Sequence, residues 1–256
     1  MRLNCAALTD TGIRRTANED SYCVREDLGL FVVADGMGGH VAGEVAARVA
    51  IEELERFVAR TKNTGPGDTW PVPFDPKLGQ NGNRLCAGMT EANHQIAARI
   101  KNDDNLQGMA TTAVAILADG NPPALAHAGD SRAYLLRNEQ FSRLTRDHSW
   151  VEEQMRAGAL TAEVARDHPW RNIVTRALTG APGLEVEVAE NFHIELADRL
   201  LLCSDGLTTV LSDEEIATVL KNDLGLQNIC EKLVLLANEQ GGPDNITVVL
   251  IDVDAL

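Results

Sequence analysis

Residues 111–137 read TTAVAILADGNPPALAHAGDSRAYLLR. Three apolar runs, TTAVAILAD, PALAHAG and SRAYLLR, are separated only by DGNP and GD. That spacing predicts an antiparallel meander. Toward the N-terminus, strands are expected at about 3–9, at SYCVRE (21–26) and at the apolar run LFVVAD. A helix is expected from Ala42 to Arg60, where Val45, Val49, Ile51, Leu54 and Val58 build one apolar face. Residues 61–82 hold four Gly and four Pro, a density that predicts a long surface loop. A second helix is expected over about Arg84–Lys101. Toward the C-terminus, 145–180 is polar with short helical pieces. Strand pattern returns in LEVEVAENFHIEL and RLLLCSD, followed by helices at about 212–221 and 226–240 and a last strand, NITVVLIDV. Strands at both ends and helices in pairs make the fold class α+β rather than βαβ.

The 256 residues and 44% hydrophobic content predict one globular domain over 1–256. No apolar run is long enough to span a bilayer, and MRLNCAALTD lacks the features of a signal peptide. Cys5, Cys23, Cys86, Cys203 and Cys230 are scattered and never form C-x-x-C. This points to a reducing, cytoplasmic setting rather than a disulfide framework or zinc site. A formal charge of -15 argues against nucleic acid and anionic membranes as partners.

Three apolar runs end in an aspartate followed by Gly or Ser: Asp35, Asp130 and Asp205. Asp244 opens the final strand and Asp20 precedes an early one. Carboxylates at strand ends can share a rigidly held cleft, and an all-oxygen set suits Mg²⁺ or Mn²⁺ better than zinc. Asp-Gly after an apolar run is also a common hairpin turn, so each position taken alone has that rival. Asp119-Gly120 has the same look and reads as a turn.

The residues Arg15-x-x-x-Glu19-Asp20, Ala34-Asp35-Gly36-Met37-Gly38-Gly39-His40, Ala110-Thr111-Thr112, Gly129-Asp130-Ser131-Arg132, Ser204-Asp205-Gly206-Leu207 and Asp244-Asn245 occur in that order. Together they resemble the metal-dependent (PPM, type 2C) serine/threonine protein phosphatases in their small bacterial form, over about residues 5–253. The resemblance implies a four-layer α-β-β-α sandwich, with two antiparallel sheets flanked by helix pairs. It implies two divalent cations (Mn²⁺ or Mg²⁺) and a weaker third. Asp35 would bridge the first two, with Gly36 (through its carbonyl), Asp205 and Asp244 as further ligands, and Asp130 would hold the third together with Asp205. Glu19 and Asp20 would act nearby through water, and Arg15 would grip the phosphate. The implied reaction is hydrolysis of phosphoserine or phosphothreonine by a metal-activated water. Phosphorylated proteins would be the substrates, a Ser/Thr kinase the opposing enzyme, and the chain a monomer.

Bound cations would also explain how so acidic a chain holds a phosphate. One departure concerns the leaving-group proton. Some family members carry a His two residues after the bridging Asp, where this chain has Met37, and His40 reads as a rim residue or a substrate contact. Segment 145–180 resembles the flap beside the family's cleft, with Arg146, Asp147, His148 and His168–Asn172 as possible contacts. Loop 61–82 reads as a surface excursion. No Cys-x5-Arg exists, so a thiol phosphatase is excluded, and Ser131 lacks the Asp-x-x-His of an esterase. Glu91/His94 and Glu190/His193 mimic a di-iron pattern by coincidence. The competing functions are a phosphoprotein-binding regulator with weak activity and a hydrolase of small phosphate esters.

Overall fold

The computed structural model describes residues 2–38, 42–64, 69–70 and 73–255. The chain runs β1 (Arg2–Asp10), β2 (Asp20–Arg25), β3 (Leu30–Met37), α1 (Ala42–Arg60), α2 (Gln80–Asn102), β4 (Ala110–Thr111) and β5 (Ala113–Leu117). It continues through β6 (Ala124–Ala128), β7 (Arg132–Arg137), β8 (Gln140–Arg143), α3 (Trp150–Arg156), α4 (Ala162–Arg166) and β9 (Glu187–Ala189). The last elements are β10 (Arg199–Cys203), α5 (Asp205–Thr208), α6 (Asp213–Leu220), α7 (Leu226–Glu239) and β11 (Ile246–Asp254).

One antiparallel sheet has the order β1-β11-β10-β7-β8, the other β2-β3-β5-β6-β9 with β4 beside β3. Alternation along the strands builds the layers. On β3, Leu30, Val32 and Ala34 turn to α1 and α2, while Phe31 and Val33 turn inward to meet Leu200, Leu202, Val249 and Ile251 of the facing sheet. On β11, Val248 and Leu250 pack under α6 and α7 with Ile216, Ile229 and Leu233. Each buried Leu, Val or Ile contributes about 1.5–3 kcal/mol. Central strands are covered on both faces, so they read in sequence as continuous apolar runs. The arrangement is the expected four-layer α-β-β-α sandwich.

The meander breaks where GD stands. β5 and β6 pair antiparallel, Ala115 opposite Ala126, but β7 belongs to the other sheet, beside β10. Gly129-Asp130-Ser131 is therefore a corner between sheets and not a hairpin. Gly129 turns it at φ +124°, and a Cβ there would lie 2.4 Å from Thr112 Cβ.

The long loop is also shorter than its composition predicts, because residues 80–82 already belong to α2. The Glu190 carboxylate accepts the N–H groups of Gly79 and Gly82 at 2.8 and 3.0 Å, satisfying the helix end from outside. A Cβ on Gly82 would sit 2.4 Å from that carboxylate and would displace it from the helix end. Trp70 packs between Phe57 and Phe74, at 6.2 and 5.5 Å between ring centroids, against α1 rather than outward as an excursion. The rest of the Gly/Pro-rich stretch, 65–68, 71 and 72, lies outside the described residues, as do Gly39 and His40. Recruiting Glu190 to α2 leaves only Glu187–Ala189 of LEVEVAENFHIEL in a strand.

Candidate metal centre

The same alternation that builds the core delivers the carboxylates. Asp35 lies two residues beyond Val33, so it extends the inward face of β3 to the end of the sandwich. Asp20 is its direct cross-strand partner on β2. From the other sheet, Asp205 opens α5 at the end of β10 and Asp244 precedes β11. Asp130 sits at the corner between β6 and β7. The structure thus brings Asp20, Asp35, Asp130, Asp205 and Asp244 to one end of the molecule, and the Asp35 and Asp205 carboxyls lie within hydrogen-bonding reach.

Neighbouring hydroxyls and amides hold them. Thr111 Oγ1 donates to the Asp35 carbonyl at 2.9 Å, Thr112 Oγ1 accepts the Asp35 N–H at 3.1 Å, and Thr112 Oγ1 meets Ser131 Oγ at 2.7 Å. The Ala-Thr-Thr motif is therefore a clamp between the Asp35 strand and the Asp130 corner. Ser131 is buried in that clamp, which removes it as a nucleophile. Asp20 Oδ2 accepts from Ser204 Oγ at 2.7 Å and Thr247 Oγ1 at 2.6 Å, so it locks β2 to the ends of β10 and β11.

The fold gives Asn245, the last residue of the final motif, a structural role. Its Nδ2 donates to the carbonyls of Thr11 (2.8 Å) and Ala17 (2.9 Å), and its Oδ1 accepts the Glu19 N–H at 2.8 Å. It thereby binds the loop carrying Arg15 and Glu19 to the strand after Asp244. Arg15 pairs with Asp244 at 2.7 Å and is 55% exposed. Glu19 faces the first turn of α1, where a Cβ on Gly43 would lie 1.9 Å from its Oε2. Gly36 is pressed against the Gly43 and Glu19 carbonyls, leaving no space for a side chain. Thr112 and Ser204 stand in the ordered motifs, which do not reveal these bonds, and Thr247 lies outside them, signalled only as the hydroxyl inside an otherwise apolar run.

Gathering these carboxyls is costly. Burial lifts Asp20 to about 7 despite its two hydroxyl partners. Burial and then Asp244 lift Asp205 to about 6. Asp35 is held well above the usual carboxylate range by burial and by Asp20, Asp205, Asp130 and Asp244. Burial, then Asp205, does the same to Asp130. Asp20 Oδ1 is buried without a hydrogen-bond partner. A set of oxygen donors with excess negative charge and one orphaned oxygen fits a hard divalent cation.

A pH signature follows. These groups hold protons more tightly in the folded chain than in the unfolded one, where the value is about 3.9. Their contribution to stability is full below that value and is lost as pH rises through 6 and 7. Mn²⁺ is therefore expected to raise Tm more at about pH 7.5 than at about pH 5. Equal shifts at the two pH values in a thermal melt would refute this electrostatic account.

A cleft of about 630 Å³ opens beside the centre, lined by Asp130, Asp205 and Arg132 on one side and by Asp147, Arg166 and Arg171 of segment 145–180 on the other. Arg132 donates to both oxygens of Asp147, at 2.9 and 2.7 Å, and so ties this segment to β7. Of the di-iron mimics, Glu190 caps α2 while His193 lies exposed beside Glu195, and Glu91 and His94 lie 3.9 Å apart on α2. All five cysteines are free, and Cys203 is buried in the core under α6 and α7.

The family model for protein phosphatase 2C matches residues 13–248. The chain is 40% identical over 255 residues to the serine/threonine protein phosphatase PstP of Mycobacterium tuberculosis, covering 98% of this chain but 45% of that protein. It is 36% identical over 258 residues to the protein phosphatase PhpP of Streptococcus pneumoniae, covering 98% of each. The crystal structure of M. tuberculosis PstP/Ppp superposes with a TM-score of 0.87 at 38% identity over all of both chains. The PstP catalytic domain in complex with two manganese ions superposes with a TM-score of 0.82 at 36% identity, covering 99% of each chain. With the matched segment running through every acidic residue of the centre, the chain belongs to the protein phosphatase 2C family.

Proposed function

We propose that this chain is a metal-dependent protein serine/threonine phosphatase that hydrolyses phosphoserine and phosphothreonine in other proteins. The observation that carries this reading is the meeting of five aspartates with Arg15 at the end of the sandwich, beside an open cleft, in a family whose relatives PstP and PhpP are named as phosphatases. Asp35, with the Gly36 carbonyl, Asp205 and Asp244, would hold two divalent cations, Mn²⁺ as in the PstP complex or Mg²⁺. Asp130 with Asp205 would hold a weaker third. The cations would supply Lewis-acid charge and a water made nucleophilic near neutral pH.

The remaining work falls to the chain. Arg15 is exposed and needs only to leave Asp244 to present two N–H donors to phosphate oxygens, a geometry that guanidinium favours. Glu19 and Asp20 would take hydrogen bonds from water beside the cations, Asp20 through the Oδ1 that no protein group satisfies. The cleft admits the polypeptide on either side of the phosphorylated residue. Met37 has no proton to give, so the leaving oxygen would take its proton from another donor, for which water suffices.

We read residues 1–256 as one catalytic domain with 145–180 as its flap, acting as a cytoplasmic monomer opposite a Ser/Thr kinase. Among the described residues no helix is long and apolar enough to cross a membrane, and five free thiols suit a reducing compartment. Phosphate release from a phosphothreonine peptide is expected with Mn²⁺ and is expected to vanish on thorough chelation. Full activity after chelation would overturn the reading, and hydrolysis confined to small phosphate esters would replace it with the narrower one.

A further inference from the structure

Away from the acidic centre, His127 on β6, His148 at the root of segment 145–180 and Glu187 on β9 bring their donor atoms within 4.8 Å of one another. The two imidazoles stack with centroids 4.5 Å apart and planes 4° from parallel. A ligating imidazole aims its lone pair along its own ring plane, so two rings stacked this way do not converge on one ion. The arrangement holds protons instead. His127 Nε2 donates to the Arg146 carbonyl at 2.8 Å. His148 Nδ1 accepts the Gly129 N–H at 3.2 Å, and its Nε2 donates to Glu187 Oε2 at 3.1 Å. Arg176 Nη1 also approaches Nε2, at a longer 3.5 Å, and a neutral ring with its proton on Nε2 satisfies the two shorter contacts, to Gly129 and Glu187.

The backbone N–H of His148 donates to the Gly129 carbonyl at 2.9 Å. One residue thus engages both polar groups of the glycine that turns the corner into Asp130. The His148 carbonyl accepts from Thr175 N–H at 2.8 Å, so the returning end of the segment is tied to the same point. We propose that His148 is a positioning residue for Asp130: its neutral form clasps Gly129 at both polar groups and fixes the corner from which the Asp130 carboxylate enters the centre. This deepens the phosphatase reading and rests on it.

Protonation would put a second N–H against the Gly129 N–H and open the clasp. Burial is the largest influence and pushes His148 below its ordinary value. Glu187 and Asp147 favour the proton, while Arg176 opposes it, and a proton on the stacked His127 would oppose it as well. Arg146, with Glu152, Glu153 and Arg156 of α3, completes the small pocket around the ring. The clasp therefore holds at neutral pH and opens below the usual histidine range of about 6.5.

The test compares two replacements. His148→Asn leaves an oxygen acceptor near the Nδ1 position and cannot titrate, whereas His148→Gln places its amide nearer Nε2 and strands the Gly129 N–H. At about pH 7.5 with Mn²⁺ and a phosphothreonine peptide, His148→Gln is expected to lose about tenfold in kcat/KM, chiefly in kcat, and His148→Asn to recover most of it. As pH falls from about 7 to 5, wild type is expected to lose activity relative to His148→Asn. The wild-type Gly129 amide resonance is expected to move with the His148 ring midpoint, and to stay still over that range in His148→Asn. Equal loss in both variants, or a Gly129 resonance indifferent to the ring, would overturn the clasp. If His148→Gln does not fold, the pH comparison decides alone. A wild type inactive on phosphopeptides would refute the phosphatase reading, while the Gly129 resonance would still decide the clasp.

Discussion

Asp35→Asn is expected to lower kcat by about 10³-fold or more and to weaken Mn²⁺ binding together with it. Asp35 stands on the inward face of β3 opposite Asp20 and within hydrogen-bonding reach of Asp205, at the point where both sheets deliver carboxylates. Replacing one oxygen by an amide keeps the shape and removes the charge that would bind cations on both sides. Lewis-acid stabilisation of several kcal/mol is at stake, and each 1.36 kcal/mol is a factor of about ten in rate. The same change is expected to raise the Tm of the cation-free protein, since it removes a carboxylate that four others repel. Calorimetric Mn²⁺ titration, phosphate release and a melt without metal check all three. Near-wild-type metal affinity in Asp35→Asn would remove Asp35 from the centre of the site.

The second large effect is far from the chemistry. Asp119→Ala is expected to cost about 3–5 kcal/mol of stability, a fall in Tm on the order of 10 °C, with little change in kcat at low temperature. Arg84 is fully buried and pairs with Asp119, whose side chain is 5% exposed. It also donates to the Val58 carbonyl at 2.7 Å and to Asn81 Oδ1 at 3.1 Å. This network joins the end of α1, the start of α2 and the turn after β5. Removing the carboxylate strands a guanidinium in the core, whereas replacing both partners in Arg84→Met/Asp119→Ala is expected to recover most of the loss. Equal destabilisation by the single and the double change would mean that the ion pair is not the source.

Asp119 shows where sequence reading stopped. Asp-Gly after an apolar run predicts the turn that forms there, but nothing local indicates that its partner is an arginine 35 positions earlier in the chain. Residues 80–82 mislead in the other direction, since Pro71, Pro73, Pro76 and Gly79 just before them suggest a loop. The helix begins there because Glu190, from another part of the chain, satisfies its N–H groups. The corner at Gly129-Asp130 looked like a hairpin because a tight turn within one sheet and a tight turn between two sheets use the same residues. Contact with Thr112 and the clasp from His148 decide which one forms.

The layer order comes from the resemblance to the phosphatase family, while the residues read alone yield the α+β fold class and the residue types of the acidic centre. These follow from patterns that are local or repeat along the chain: apolar runs, helical periodicity, and aspartates where strands end. What those aspartates share follows from contacts made in the folded chain. Tertiary structure made Asn245 the tie between the Arg15 loop and β11, and made Asp20 the bond between the sheets. It also turned a threonine pair into the clamp that joins Asp35 to Asp130. These are contacts between residues tens to hundreds of positions apart, and a hydrogen bond is specified by distance and direction in space, which order along a chain does not encode.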